Sequence, residues 1–191
     1  MGNRGGALHN DQREIVRPYK SRRWIACVLL FRGRRRQVMS PNRYTELFFL
    51  DEAVALAAGH RPCAECRRER FNAFKAAWSS AQPVSADEMD VELHRARIAT
   101  RARKVTYEAP LRSLPDGCFV RIDGSPFLIS HDALLLWTPE GYASMGPRPG
   151  RATVEVLTLE PIVQCIRAGY RPEIHTSALR FVDEARVSSI R

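Results

Sequence analysis

No apolar run in this chain approaches the roughly 20 residues needed to span a bilayer. Its first twenty residues, MGNRGGALHNDQREIVRPYK, are polar and hold no apolar core of a secretory signal. Position 6 is Gly, where a myristoylation pattern has Ser or Thr. The expectation is a cytoplasmic protein. Cysteine is sparse and odd in number, five in 191 residues, which argues against a disulfide framework. Gly-x-Ser-x-Gly, a phosphate loop, a dinucleotide fingerprint and His-Glu-x-x-His are all missing. The acidic residues of the C-terminal half form no recognisable catalytic set, so no reaction can be named from the sequence. A hydrophobic content of 45% in a chain of this length is that of a globular protein with a real core.

Charge is unevenly placed. Residues 1–75 carry 16 Lys and Arg against 7 Asp and Glu, and the remainder carries 14 against 14. The whole formal excess of +9 therefore lies in the first part of the chain. Nearly all of it is arginine, whose planar fork suits bidentate contact with phosphate. A solvated basic face and a polyanion-binding face both fit this pattern.

Residues 1–20 read as irregular. RWIACVLLF (Arg23–Phe31) reads as a buried strand, RGRRR as a turn, RQVM as a return strand and RYTELFFL (Arg43–Leu50) as a third strand. DEAVALAAG then reads as a two-turn helix capped by Asp51 and stopped by Gly59. Phe71, Phe74 and Trp78 share one face of a second helix. Ser85 and Glu88 fit a capping box that opens a third. Beyond Val105 come a hairpin centred on Asp123-Gly124, a strand at ATVEVLTL and a short helix at EPIVQCIRAG. AAGHRP (57–62) and RAGYRP (167–172) echo each other, either as a duplicated module or as a recurring helix stop.

Cys63 and Cys66 form a Cys-x-x-Cys pair in AAGHRPCAECRRERF. Such a bend can bring two thiolates to one Zn²⁺ at about 2.3 Å, and in most structural zinc sites it is half the ligand set. FFLDEAVALAAGHRPCAECRR resembles the N-terminal metal-binding domain of the Ada DNA-repair family. The resemblance rests on Phe48, Phe49, Asp51, the Ala-rich stretch Ala53 to Ala58, Gly59, Arg61, Pro62, Cys63 and Cys66. It is close over about 20 residues and looser over about 50. It implies that Cys63 and Cys66 bind zinc, and that His60, where the family has Tyr or Phe, packs its ring. The family carries two further cysteines between its first strand and its aromatic strand, one of which accepts a methyl group from a DNA phosphotriester. The stretch RGRRRQVMSPNRY has no cysteine, so methyl transfer is not carried over.

Two more zinc ligands must come from elsewhere, and Cys27 and His9 are the candidates upstream. Cys118 and Cys165, in apolar contexts, read as core. His94 is expected to pair with Asp90 four residues before it. His131 reads as capping a turn, and His175 as exposed. Arg32, Arg34, Arg35, Arg36, Arg61, Arg67 and Arg68 are the candidates for weak, sequence-independent contact with a DNA or RNA backbone. Two alternatives stay open: a zinc-stabilised protein-interaction module, and a dithiol redox protein using Cys63 and Cys66 at a helix start. The expected fold is α+β. It comprises an Ada-like module over residues 1–84 with a small antiparallel sheet, a helix plus β-rich unit over 85–178 packed on it, and a mobile tail over 179–191.

Overall fold

A computed structural model describes residues 1–33, 37–78, 82–98 and 104–181. The fold is α+β. A three-stranded sheet is built from β1 (Gly2–Asn3), β2 (Ile25–Ala26) and β3 (Arg61–Pro62), in that order. It is mixed: β1 and β2 run antiparallel, β2 and β3 parallel. The expected strand Arg23–Phe31 shrinks to two residues, and Arg43–Leu50 supplies only a bridge from Leu47 to Gly2. The apolar runs there are loops and are not buried as expected: Leu29, Leu30 and Phe48 are exposed. No helix among the described residues is long and apolar enough to cross a membrane.

Helix α1 (Glu52–Ala57) starts where Asp51 accepts the Val54 N–H at 2.8 Å. It ends in a Schellman motif: the Gly59 N–H donates to Leu56 O and the His60 N–H to Ala55 O, with Gly59 at φ +81°. The echo at 167–172 has the same construction. There α4 (Glu160–Arg167) closes with Gly169 N–H to Ile166 O and Tyr170 N–H to Cys165 O. The shared sequence is a shared helix stop. Helix α2 (Arg68–Trp78) buries Phe71 and Phe74, and α3 (Ala86–Arg97) opens with the reciprocal Ser85–Glu88 capping box.

The larger sheet is antiparallel throughout, with six strands in the order β4 (Tyr107–Pro110), β9 (Thr153–Val156), β5 (Phe119–Ile122), β6 (Ser125–Ser130), β7 (Ala133–Thr138), β8 (Gly141–Pro147). Two-residue loops join β5 to β8 in sequence. Asp123 and Gly124 both have positive φ in the first, as a type I′ turn requires, and His131 has φ +53° in the second. Both faces of this sheet are covered. Val120, Ile129 and Leu134 join one core cluster with α1 to α4, while their neighbours Phe119, Leu128 and Leu135 join another with Ala53, Tyr142 and Phe181. That explains why β7 reads as the unbroken run ALLLW: side chains alternate between two interiors. Cluster one draws Phe74, Met89 and Leu93 together with Val154, Ile162 and Ile166, so the N-terminal helices and the β-rich part share one core. Leu179 to Phe181 extend from a 3-10 turn (Thr176–Ala178), and Phe181 is buried. The remainder of the expected tail, 182–191, lies outside the described residues.

Candidate metal centre

The parallel pairing of β2 with β3 places the third thiol. Ala26 lies opposite Pro62, and the Cys63 N–H donates to Ala26 O at 2.9 Å. The next residues on the two strands, Cys27 and Cys63, are therefore neighbours. Cys66 returns through the turn that starts α2, where the Arg67 N–H donates to Cys63 O at 3.1 Å. The three Sγ atoms lie within 4.8 Å of one another, the only such group of metal-ligating side chains among the described residues. Tetrahedral zinc with bonds of about 2.3 Å sets thiolates about 3.8 Å apart, so the cluster needs little contraction to close on an ion. Three cysteines thus lie close enough to bind a metal.

All three are half-buried and reduced. The Cys63 thiol is pulled down to about 5, first by a hydrogen bond from Cys27 and then by the backbone N–H groups of Cys66 and Glu65, against the opposing effect of burial. Hydrogen bonding to Cys63 and burial push Cys27 up, and burial pushes Cys66 up. The negative charge of the metal-free cluster is favoured on Cys63, and loss of the remaining thiol protons would complete an all-sulfur donor set for a cation. A pocket of about 310 Å³ opens beside it, bounded by Ile25, Val28, Leu29, Phe31 and Tyr44.

The other candidate ligand is elsewhere. His9 is buried, with Nδ1 2.6 Å from Thr45 Oγ1, and it is not among the clustered ligands. His60 is fully buried between the rings of Trp24 and Phe49, at 5.2 and 4.7 Å. Neither of its ring nitrogens makes a hydrogen bond of good geometry among the described residues. Burial, helped by Arg4 and Arg97, holds its pKa well below the usual value. His94 does not pair with Asp90, which is taken by Arg61; its ring instead packs edge-on against Tyr19 at 5.0 Å. His131 faces Asp116 at 3.1 Å, and His175 bonds Ser177. Cys118 and Cys165 are core residues whose thiols burial pushes up to about 12.

The arginines around the motif turn inward. Arg61 is 3% exposed and makes a two-pronged contact with Asp90, at 2.8 and 2.7 Å. Arg67 bridges Glu52 and Glu173, and Arg70 also holds Glu52. Arg61 is not available to an outside phosphate, a correction that follows from its burial. Arg32 and Arg68 are exposed. Arg34, Arg35 and Arg36 lie outside the described residues.

The Asp51-Glu52 pair does more than start a helix. Asp51 accepts hydrogen bonds from Tyr142 Oη and the His175 N–H, and Glu52 accepts from the Glu173 N–H, so the C-terminal segment is fastened to the helix beside the thiols. Sequence spacing carried no signal for those contacts, which span more than ninety residues. No protein-family model, no curated protein and no solved structure matches the chain.

Proposed function

We propose that this is a zinc protein whose ion is held by Cys27, Cys63 and Cys66, with the fourth position toward the neighbouring pocket. The observation that carries the reading is the mutual approach of three thiols within 4.8 Å. An all-sulfur donor set suits zinc over calcium or magnesium, which take oxygen ligands. The Ada-like reading of residues 48–66 points to the same ion through Cys63 and Cys66 alone. Three protein ligands and one open position are the arrangement that leaves zinc able to take an exogenous donor. The redox alternative is less well served, because a third thiol sits between the partners of any dithiol couple. The nucleic-acid reading retains Arg32 and Arg68 as exposed candidates, and among the described residues no geometric feature favours it.

Metal analysis of protein purified without chelator should give about one zinc per chain. Cobalt substitution should show thiolate-to-metal charge transfer. Cys27→Ser, Cys63→Ser and Cys66→Ser should each lower affinity beyond the roughly 10–100-fold that loss of an outer-shell partner produces. His9→Ala should leave affinity within that lesser range. Metal-free protein, or a Cys27→Ser variant with parental affinity, would overturn the three-thiolate site.

A further inference from the structure

A second pocket, of about 320 Å³ and lined by none of the three thiols, lies where α1, the end of α3 and the larger sheet meet the N-terminal segment. Its walls are aromatic and aliphatic: Trp24, Phe119, Trp137 and Leu157 are among them. Three cations also line it, Arg4, Arg97 and Lys104, and no carboxylate does among the described residues. The guanidinium groups of Arg4 and Arg97 both lie over the ring of Trp24, 3.8 and 4.2 Å from its centroid. Two like charges gathered at one ring are costly unless an anion is near.

The described residues do not supply that anion. Asp90, the carboxylate that acts on Arg97, is engaged on both oxygens by Arg61. Glu155, the one that acts on Lys104, is engaged by Arg121. The cations make do with carbonyls: Arg97 with Gly59 and Arg22, Lys104 with Leu157, Arg4 with Pro18. Arg97 is 1% exposed, and its Nε, the Arg4 Nε and the Trp137 Nε1 are buried donors without a partner among the described residues. Burial pulls Arg97 down to about 9, and Lys104, exposed as a residue, is pulled to about 8 where its amine is partly buried against Leu157 O.

We infer that this pocket binds a small organic anion with a flat apolar body, its charge set among Arg4, Arg97 and Lys104 and its body against Trp137 and Phe119. The apolar walls select the body, and the uncompensated cations select the charge.

Calorimetric titration of the full chain tests this with 1-naphthoate, the uncharged 1-naphthalenemethanol and inorganic phosphate. The expected result is saturable binding of one naphthoate per chain, with the alcohol and phosphate each weaker by about tenfold or more. Lys104→Met and Arg4→Met should each weaken naphthoate by about tenfold and leave the alcohol unchanged. Each variant's thermal midpoint is checked first, and either one alone suffices if the other fails to fold. Equal binding of acid and alcohol, parental binding by the lysine and arginine variants, or no saturable binding would overturn the assignment. Phosphate binding as tight as naphthoate would overturn the role of the apolar body.

Discussion

Replacing Asp90 with Ala should be among the most damaging single changes in the chain. Asp90 has no exposed side-chain surface, and the Arg61 side chain it pairs with is 4% exposed. The contact is bidentate, and Arg61 Nη1 donates in addition to Pro62 O at 3.1 Å. Removal leaves the Arg61 guanidinium buried without a counter-ion and takes away the carboxylate that favours the charge on Arg97. Breaking one partner of a buried pair costs about 3–5 kcal/mol. For a protein of this size that lowers the thermal midpoint by roughly 6–20 °C. Urea unfolding with chelator present isolates the effect from metal binding. The double variant Arg61→Met, Asp90→Leu should recover most of the loss, because apolar side chains of similar volume replace a desolvated pair at little net cost. An Asp90→Ala variant within about 1 kcal/mol of the parent, or a double variant no better than the single, would refute the reasoning.

His60→Phe should flatten the acid limb of the stability curve. The folded pKa of His60 lies well below 6.5, so below pH 6.5 the unfolded chain takes up a proton that the folded one does not. Its contribution is lost as pH falls, by up to about 1.4 kcal/mol per pH unit, and is level above that range. Chelated parent and variant compared by urea unfolding from pH 7.5 to 5 should diverge in slope; identical slopes would show that His60 titrates normally. Gly59→Ala should destabilise more than Gly169→Ala. Both impose a side chain on a left-handed residue, at roughly 1–2 kcal/mol. Only at Gly59 would the new Cβ meet a neighbour, 2.7 Å from Arg97 Nε, while nothing lies within 4 Å at Gly169. Thermal midpoints of the two variants should therefore differ, and equal losses would mean that Arg97 yields freely.

What was legible in the sequence was what local chemistry decides. The cap at Asp51, the box at Ser85 and Glu88, the turn at Asp123-Gly124 and the glycine stop before Arg61 each depend on residues within a few positions of one another, and each formed as read. The N-terminal sheet was not legible in the same way. Its strands are two residues long, and β2 joins β3 in parallel across 36 residues, so no period in RWIACVLLF reports the pairing. That pairing sets Cys27 beside Cys63, and a buried strand cysteine and a metal ligand look alike until the register is known. Asp90 shows the converse failure. Its helical neighbour His94 was the obvious local partner, but Arg61, 29 residues away, carries a permanent charge and a fork that matches both carboxylate oxygens.

The same preference for arginine answers how a sheet of two-residue strands can hold three thiols in place. A ladder that short makes few hydrogen bonds, among them Cys27 N–H to Met1 O and Cys63 N–H to Ala26 O. Rigidity has to come from side chains that reach backbone. Arg97 donates to the carbonyl of Gly59, four residues before Cys63; Arg61 donates to the carbonyl of Pro62, immediately before it. Arg67 and Arg70 then fix the start of α2, just past Cys66, to Glu52 on α1. A lysine could neutralise a carboxylate at any of these places. It could not also fork onto a second acceptor in a fixed plane, as Arg61 and Arg97 do. The density of arginine around the cysteines is therefore read first as internal bracing of a loop-built centre. The positive charge this bracing concentrates beneath the surface is what leaves the pocket at Trp24 and Trp137 short of an anion.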